Sequence, residues 1–522
     1  MPPIANARST LPNRPSRPLA VSALGLAVAT APLGGLADDL HRPVLELDAL
    51  NIDAEHPGDY RTEHSASTKY AVPLLDTPQT ITVVPRQVIQ EQQALSLRQV
   101  LSNVSGITFN AGEGGGGSGD SINIRGFSAS NNIQVDGLRD STQTTRSDSF
   151  NIDQVEVIKG PNSVYAGAGT TGGTINIITK QPQQRAFTHL GAGIGTDQYR
   201  RLTLDSNQPL EGVGHDSALR LNLMAHHNAI PGRAQVDRER WGLAPSLRLG
   251  LGESTRLTLS ASHLVDDNLP DYGVPALDGK KLAGVDRHAY FGWKNLDKEQ
   301  IRQSALTADF EHEFDDSLRV QNLTRYSHTD RDTTVSASHV KTVGASPGRY
   351  LPAGPQAYGR DAVTQLWINQ TNLAAGLELG GMRHDLVSGL EVSRETLDLE
   401  TYGHGLGSSL YPADGYDLGN PPGYWSGPIA KTRTSRAQAE LTSQALYLLD
   451  TIAVHEQWDV NLGLRHDRIK GKVDSVATGK PASGFESSDS LFSGRAGVVY
   501  KPVENGRIYL AWGTSFNPSA ES

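Results

Sequence analysis

Trp241-Gly242-Leu243-Ala244-Pro245-Ser246-Leu247-Arg248-Leu249-Gly250-Leu251-Gly252 alternates strictly. Trp241, Leu243, Pro245, Leu247, Leu249 and Leu251 fall on one side of an extended chain, and Gly242, Ala244, Ser246, Arg248, Gly250 and Gly252 on the other, because successive side chains of a strand point to opposite faces. A period of two over this length reads as a β-strand with one apolar face. The same pattern returns along the chain from about Ala186. Leu219, Leu221, Leu223 and Ala225 alternate with Arg220, Asn222 and His226; Leu257, Leu259 and Ala261 with Arg256, Thr258 and Ser260; and Val460, Leu462 and Leu464 with Asn461, Gly463 and Arg465.

Strands of this kind build either soluble sandwiches and propellers or membrane barrels whose apolar face meets lipid. The connections discriminate. Gly252-Glu253-Ser254 and Asp315-Asp316 are tight, whereas Leu269 to Lys298, Ser336 to Gly359 and His404 to Arg433 are long, polar and aromatic. Short turns at one rim and long loops at the other describe an antiparallel outer-membrane β-barrel. Composition agrees: of 522 residues only 37% are hydrophobic and 54 are glycine, which suits a sheet that pairs its own backbone groups in lipid without apolar helices. No run of 18 or more apolar residues occurs, so membrane-spanning helices are not expected.

At the N-terminus, Arg8, Arg14 and Arg17 precede the apolar stretch Leu19 to Ala31, and Ala29-Thr30-Ala31 and Leu36-Ala37 offer small-residue cleavage sites. Those are the parts of a secretory signal peptide, placed at residues 1–37. A linker follows over 38–69, then an α+β domain over 70–185 with a strand at Thr80 to Val84, a helical stretch from Arg86 to Asn103 and glycine-rich turns over 112–119, and the barrel over 186–522. Lys+Arg 47 against Asp+Glu 57 gives a net charge of −10, which offers nucleic acid no basic footprint. The absence of cysteine excludes disulfides, thiolate metal sites and cysteine nucleophiles.

Several apparent motifs are accidental. Gly167-Ala168-Gly169-Thr170-Thr171-Gly172 has dinucleotide-loop spacing but runs into a strand where such a loop must open a helix. His455-Glu456-Gln457-Trp458-Asp459 lacks the second histidine of a zinc helix, and His226 and His227 point to opposite faces of a strand. No nucleophile elbow and no P-loop occur. The reading is therefore not an enzyme, with no catalytic residues and no cofactor.

One ordered series of segments carries a resemblance. Pro73 to Pro85 (PLLDTPQTITVVP), Leu101 to Ile107 (LSNVSGI), Ile124-Arg125-Gly126-Phe127, Val135-Asp136-Gly137, Val155 to Pro161 (VEVIKGP) and Gly172 to Lys180 (GGTINIITK) closely resemble the plug domain of TonB-dependent outer-membrane receptors. The match is similar in detail to catecholate siderophore receptors and covers about residues 70 to 182 densely. The resemblance implies a monomeric barrel of 22 strands, filled by the plug, that sits in outer-membrane lipid. It also implies import of ferric siderophores with energy from TonB, ExbB and ExbD. No resident metal is implied, because the siderophore supplies the iron ligands.

On that resemblance Val44, Leu45, Glu46, Leu47, Asp48, Ala49 and Leu50 form a candidate TonB box that would add as a strand to its partner. An anionic aromatic chelate calls for arginine and aromatic side chains, and Arg139, Gln143, Arg146, Tyr272, His288, Tyr290 and Trp293 lie where the analogy places the cargo. Arg125 and Lys159 are expected to lock the plug to barrel carboxylates, the second weakly, since lysine cannot make a bidentate pair. Only about 13 strands can be counted after Phe187, about nine short of the family's number, so the chain is expected to be a truncated receptor. Two alternatives stand beside the catecholate reading. One is a receptor for a ferric hydroxamate, another metal chelate or a cobalamin-like solute, and the other is an outer-membrane adhesin or signalling receptor.

Overall fold

The computed structural model describes Tyr60 and residues 62–109, 121–129, 132–141, 148–213, 216–233, 235–336, 339–342, 344–353 and 357–518. The signal peptide, the Val44–Leu50 segment, the glycine run over 112–119, Gln143 and Arg146 lie outside them.

The N-terminal domain is a five-stranded sheet in the order Thr80–Pro85, Ile152–Lys159, Gly173–Thr179, Ile133–Val135, Leu138–Arg139. Its pairs are antiparallel apart from the parallel pair between Ile133–Val135 and Gly173–Thr179. Leu97, Leu101, Ile122, Ile124, Val155, Val157 and Ile175 form a fully shielded core. The single helix expected over Arg86 to Asn103 is two short ones, Arg86–Glu91 and Leu97–Leu101. Gln93 takes a left-handed backbone at φ 49°, which ends the first. Ser96 then starts the second by accepting the Gln99 amide on its hydroxyl, which satisfies one of the orphan donors of a helix start. The GxGxxG spacing does lead into a strand, Gly173–Thr179.

Thirteen strands, from Phe187–Ile194 to Gly506–Gly513, make one sheet in which each strand pairs antiparallel with its neighbour in sequence. The two end strands pair on one side only among the described residues. The polarity is the reverse of a soluble protein's. Trp241, Leu306, Tyr326, Trp367, Leu390, Leu446, Leu464 and Phe492 are exposed, while Arg220, Asn222, Arg325, Arg465 and Asp467 are buried. Such an arrangement is costly in water and favourable where the outer face meets hydrocarbon. Among the described residues no helix is long and apolar enough to cross a membrane, and strands do not need one.

Strand length grows along the sheet from 8 residues in Phe187–Ile194 to 26 in Ala430–His455. About 9–11 residues cross a bilayer, so the later strands continue past the apolar zone on the side of the long loops. Those loops are held to one another. Val340–Lys341, Arg349–Pro352 and Tyr416–Asp417 form a small sheet between two of them, and Trp293, Leu406 and Trp425 pack into a buried cluster with Tyr411 and Tyr416 at its margin.

Gly173 joins the two central strands of the plug sheet at a point where only glycine fits: φ is 138°, and an added Cβ would stand 2.1 Å from the Ile158 carbonyl oxygen. Gly173→Ala should destabilise the plug by about 1–3 kcal/mol, measured as early loss of amide protection in Ile158 and Thr174. Gly279→Ala, in an open turn with nothing within 4 Å, should leave those amides unchanged.

Candidate functional site

The alternation anchored by Trp241 extends toward the loop rim and turns Arg240 and Arg238 inward, opposite that exposed indole. Strand pairing sets further inward arginines around the upper lumen. Arg201 chelates the fully shielded Asp148 of the plug through two bonds of 2.8 and 2.7 Å. Arg240 lies 3.6 Å from the same carboxylate and 3.0 Å from Asp266, and Arg331 pairs with Glu299 at 3.4 Å. Arg331 also feels the charge of Arg360 and the nearby Tyr272. Arg238 and Arg360 have no carboxylate within ion-pair distance among the described residues. Two inward guanidinium groups thus remain available under the loops, and their planar donor forks suit an anionic, oxygen-rich ligand.

The residues singled out in the sequence fall into different settings. Arg139 pairs with Glu395 of the barrel wall at 2.8 Å, so it ties plug to wall. Tyr272 is half-buried near Arg331. His288 is exposed, with its Nδ1 2.7 Å from the Gly232 carbonyl, which joins two loops. Tyr290 and Trp293 are only 4% and 6% exposed. The Tyr290 hydroxyl donates to Asp297 at 2.6 Å, and Asp297 also accepts the Trp293 and Ser336 amides. Both rings build the loop core rather than presenting a face to the lumen. Sequence reasoning passed over Arg238 and Arg360, although the parity signal that places Arg238 inward is present in Asp237 to Trp241.

The expected locks are corrected. Arg125 is exposed and makes no ion pair with a barrel carboxylate among the described residues. Lys159 is buried and bonds the Ser105 hydroxyl at 3.2 Å. Each belongs to the plug's own turns, where Arg125 takes φ 51° and its guanidinium lies beside Gly160. Other groups reach the wall. Asp205 of the barrel gathers Arg86 at 2.7 Å, Lys180 at 3.0 Å and its strand neighbour Arg220 at 2.8 Å. Arg495 donates to the Pro78 carbonyl and the Gln79 side chain at 2.6 Å each, and Arg507 pairs with Asp76.

The most buried of these contacts lies where the described chain enters the plug. The Lys69 ammonium donates to the Tyr165 carbonyl at 2.7 Å, stands 3.6 Å from Glu391 and lies over the Tyr447 ring. Glu391 is held in turn by Arg465 at 2.8 Å and Gln370 at 2.6 Å, and Arg465 also pairs with Asp467 at 3.0 Å. Burial lowers the Lys69 pKa to about 8, against the opposing pull of Glu391. Tyr70 stacks on Tyr165 at 4.4 Å, and Ser65 and the Ala66 amide both bond the Glu156 carboxylate, at 3.0 and 2.7 Å. Ser65 to Tyr70 is therefore a latch fixed to plug and wall together.

Comparison with known proteins agrees with both halves of this architecture. Residues 73–174 match the model of the TonB-dependent Receptor Plug Domain, and residues 240–522 match that of the TonB dependent receptor-like beta-barrel. The chain is 35% identical to the "Probable TonB-dependent receptor BfrD" of Bordetella pertussis, over 96% of this chain and 69% of that one. It is 32% identical to the catecholate siderophore receptor Fiu of Escherichia coli, over 90% and 66%. The crystal structure of the siderophore receptor PiuA from Acinetobacter baumannii superposes with a TM-score of 0.80 at 30% identity, covering 88% of this chain and 68% of that one. The chain thus spans about two thirds of the length of these relatives.

Two outcomes follow from the geometry. Glu391→Gln leaves Lys69 and Arg465 buried with one carboxylate fewer, a loss of about 3–5 kcal/mol for a broken buried pair. Limited proteolysis should then cut within Ser65–Tyr70 while the barrel stays intact, and Glu391→Asp should cut less. In the loops, burial raises the Asp297 carboxyl from 3.8 to about 6. A raised carboxyl favours the fold most below the unfolded value and loses that contribution as pH climbs through the folded one. Protection of the Trp293 and Ser336 amides, taken relative to intrinsic exchange at each pH, should fall between pH 4 and pH 6 and level off above, and protection that does not change over this range would refute the role of Asp297.

Proposed function

As the chain belongs to the TonB-dependent receptor family, we propose that it takes up ferric siderophores of the catecholate class across a bacterial outer membrane. The reading is carried by the pair of inward arginines, Arg238 and Arg360, left without carboxylate partners among the described residues in an upper lumen already lined by Arg201, Arg240 and Arg331. A ferric catecholate presents anionic oxygens on aromatic rings, and guanidinium groups meet both through bidentate bonds and stacking. The naming of the Escherichia coli relative as a catecholate siderophore receptor supports that choice. Iron is cargo held by its own chelator, and the work of the protein is binding and passage.

In this reading the chain acts as a monomer, exported by the signal peptide over residues 1–37, with the long loops outside the cell. Cargo settles between the loops and the plug, contacted by Arg238, Arg360 and Tyr272, with Gln143 and Arg146 as further candidates on the plug. Arg139, His288, Tyr290 and Trp293 support the site by fixing plug and loops. TonB, energised with ExbB and ExbD, engages Val44–Leu50 by strand addition. Downstream of it the Ser65–Tyr70 latch ties the chain to plug and wall, so release of Lys69 from Glu391 couples the inner-membrane partner to the plug.

The test is a titration of purified protein with a ferric catecholate and a ferric hydroxamate, read by tryptophan fluorescence. The catecholate should quench at lower concentration. Arg238→Ala and Arg360→Ala should each weaken it by about tenfold or more, as expected for charge-assisted bonds of about 1.5–3 kcal/mol. Equal response to both chelates, or quenching by the hydroxamate alone, would overturn the catecholate assignment and favour the cargo of the ferrioxamine B receptor to which the chain is 28% identical.

A further inference from the structure

One polar network interrupts the apolar outer face of the barrel. Alternation along Leu318–Val335 turns Asn322, Thr324 and Tyr326 outward, since Leu323 and Arg325 between them are buried. Along Tyr358–Leu379 it does the same for Trp367, Asn369, Thr371 and Leu373, opposite the buried Ile368, Gln370 and Asn372. Register sets Thr324 against Asn369 and Asn322 against Thr371. The four side chains bond one another. Asn322 Nδ2 donates to the Thr371 hydroxyl at 2.7 Å, and Asn369 Nδ2 donates to the Thr324 hydroxyl at 2.7 Å and to Asn322 Oδ1 at 3.0 Å. Leu306, Phe310, Tyr326, Trp367, Leu373 and Leu390, all exposed, form an apolar rim around them.

Depth makes this placement exceptional. Trp367 is an exposed indole of the kind that marks the membrane interface. A strand tilted by about 40° descends about 5 Å for every two residues, which sets Asn369 about 5 Å and Thr371 about 10 Å below that indole. Further down the same strand Leu373, Leu377 and Leu379 are exposed, so the network sits inside the hydrocarbon band. Lipid tails offer no hydrogen bonds there, and polar side chains at such depth hold membrane segments together. The network also keeps one donor and one acceptor in reserve. Among the described residues the Thr371 hydroxyl donates to nothing, and Asn369 Oδ1 accepts only the Asn322 amide, at 3.4 Å. Both oxygens flank the same nitrogen, Asn322 Nδ2, so open donor and open acceptor lie side by side.

We propose that this patch pairs with the same patch of a second copy of the chain, within the membrane, about a two-fold axis along the membrane normal. Such an axis returns every residue to its own depth, so the polar centre of one copy faces the polar centre of the other. A different barrel would have to carry matching polar groups at that same depth. The axis sets the Thr371 hydroxyl of each chain on the Asn369 side-chain oxygen of the other, the self-complementary contact of an isologous interface. Ala308, beside Thr324 in the register, keeps the centre low enough for close approach, and the apolar rim seals it from lipid. Because the axis lies outside both barrels, each chain keeps its own plug and lumen, and transport stays the work of the single chain.

The chain has no cysteine, so a single introduced thiol reports the contact without background. Leu373→Cys leaves the network intact and lies one outward position below Thr371. In liposomes at high dilution in lipid, a membrane-permeant bismaleimide should join Leu373→Cys chains in pairs. It should leave Leu219→Cys, on the exposed face of Ser217–Ala229, as monomers. Asn369→Leu with Thr371→Val in the Leu373→Cys background should weaken association about tenfold, the size of two interchain hydrogen bonds in a membrane, whereas Thr371→Ser should retain it. Unchanged heat-modifiable gel mobility of the variants separates lost pairing from lost fold. Monomers alone from Leu373→Cys, equal cross-linking at Leu219→Cys, or undiminished cross-linking in the double apolar variant would each overturn the proposal, whatever the siderophore titration shows.

Discussion

Every backbone N–H and C=O of a strand in hydrocarbon must find a partner within the sheet, and the rest of this molecule depends on that constraint. It fixes the antiparallel neighbour-to-neighbour order of the thirteen strands and, through the two-residue period, divides every strand into an outward and an inward face. Apolar side chains then go outward and polar ones collect inside. An interior holding Arg220, Arg325, Arg465, Asp467 and Glu391 cannot stay empty of partners, because unpaired buried charge is expensive. Barrel neighbours supply some of them, Asp205 to Arg220 and Asp467 with Glu391 to Arg465, and the plug side supplies Lys69 to Glu391 and the Val135 carbonyl to Arg325.

This makes plug and barrel electrostatic complements rather than container and contents. Arg86 and Lys180 meet Asp205, Lys69 meets Glu391, Arg139 meets Glu395 and Asp148 meets Arg201. Buried pairs of this kind add little net stability over well-packed apolar contacts, yet each one is costly to break singly. They suit an interface that must hold one register at rest and still release when work is delivered to it. Among the described residues the plug brings no carboxylate to Arg238 and Arg360, and on the proposed reading the lumen keeps that charge for a ligand.

Much of the fold was legible because lipid makes strand parity unambiguous. The Trp241 to Gly252 alternation, the tight turns and the three long loops all recur in the structure within a few residues. The pair of short plug helices was missed because a left-handed Gln93 leaves no compositional trace. The site was read less well. Aromatic residues in loops read as ligand contacts, but loops this long need a core of their own, to which Trp293 belongs, while the Tyr290 ring is buried with its hydroxyl on Asp297. Resemblance singled out Arg125 and Lys159, whereas the contacts to the wall fall on Lys69, Arg86 and Lys180. Ion pairs between residues hundreds of positions apart, such as Lys69 with Glu391, have no local signature, and only the fold brings them together.

The strand Thr80–Pro85 lies at the edge of the plug sheet, antiparallel to Ile152–Lys159 and directly downstream of the Ser65–Tyr70 latch. Tension applied from the N-terminal side therefore loads this ladder from one end. Where that tension acts across the strands, the hydrogen bonds peel in succession, Thr80 from Lys159 first and Pro85 from Gln154 last, instead of resisting in shear all at once. Peak resistance is then that of one or two bonds, and the four strands left behind keep the template on which the edge can anneal again in register.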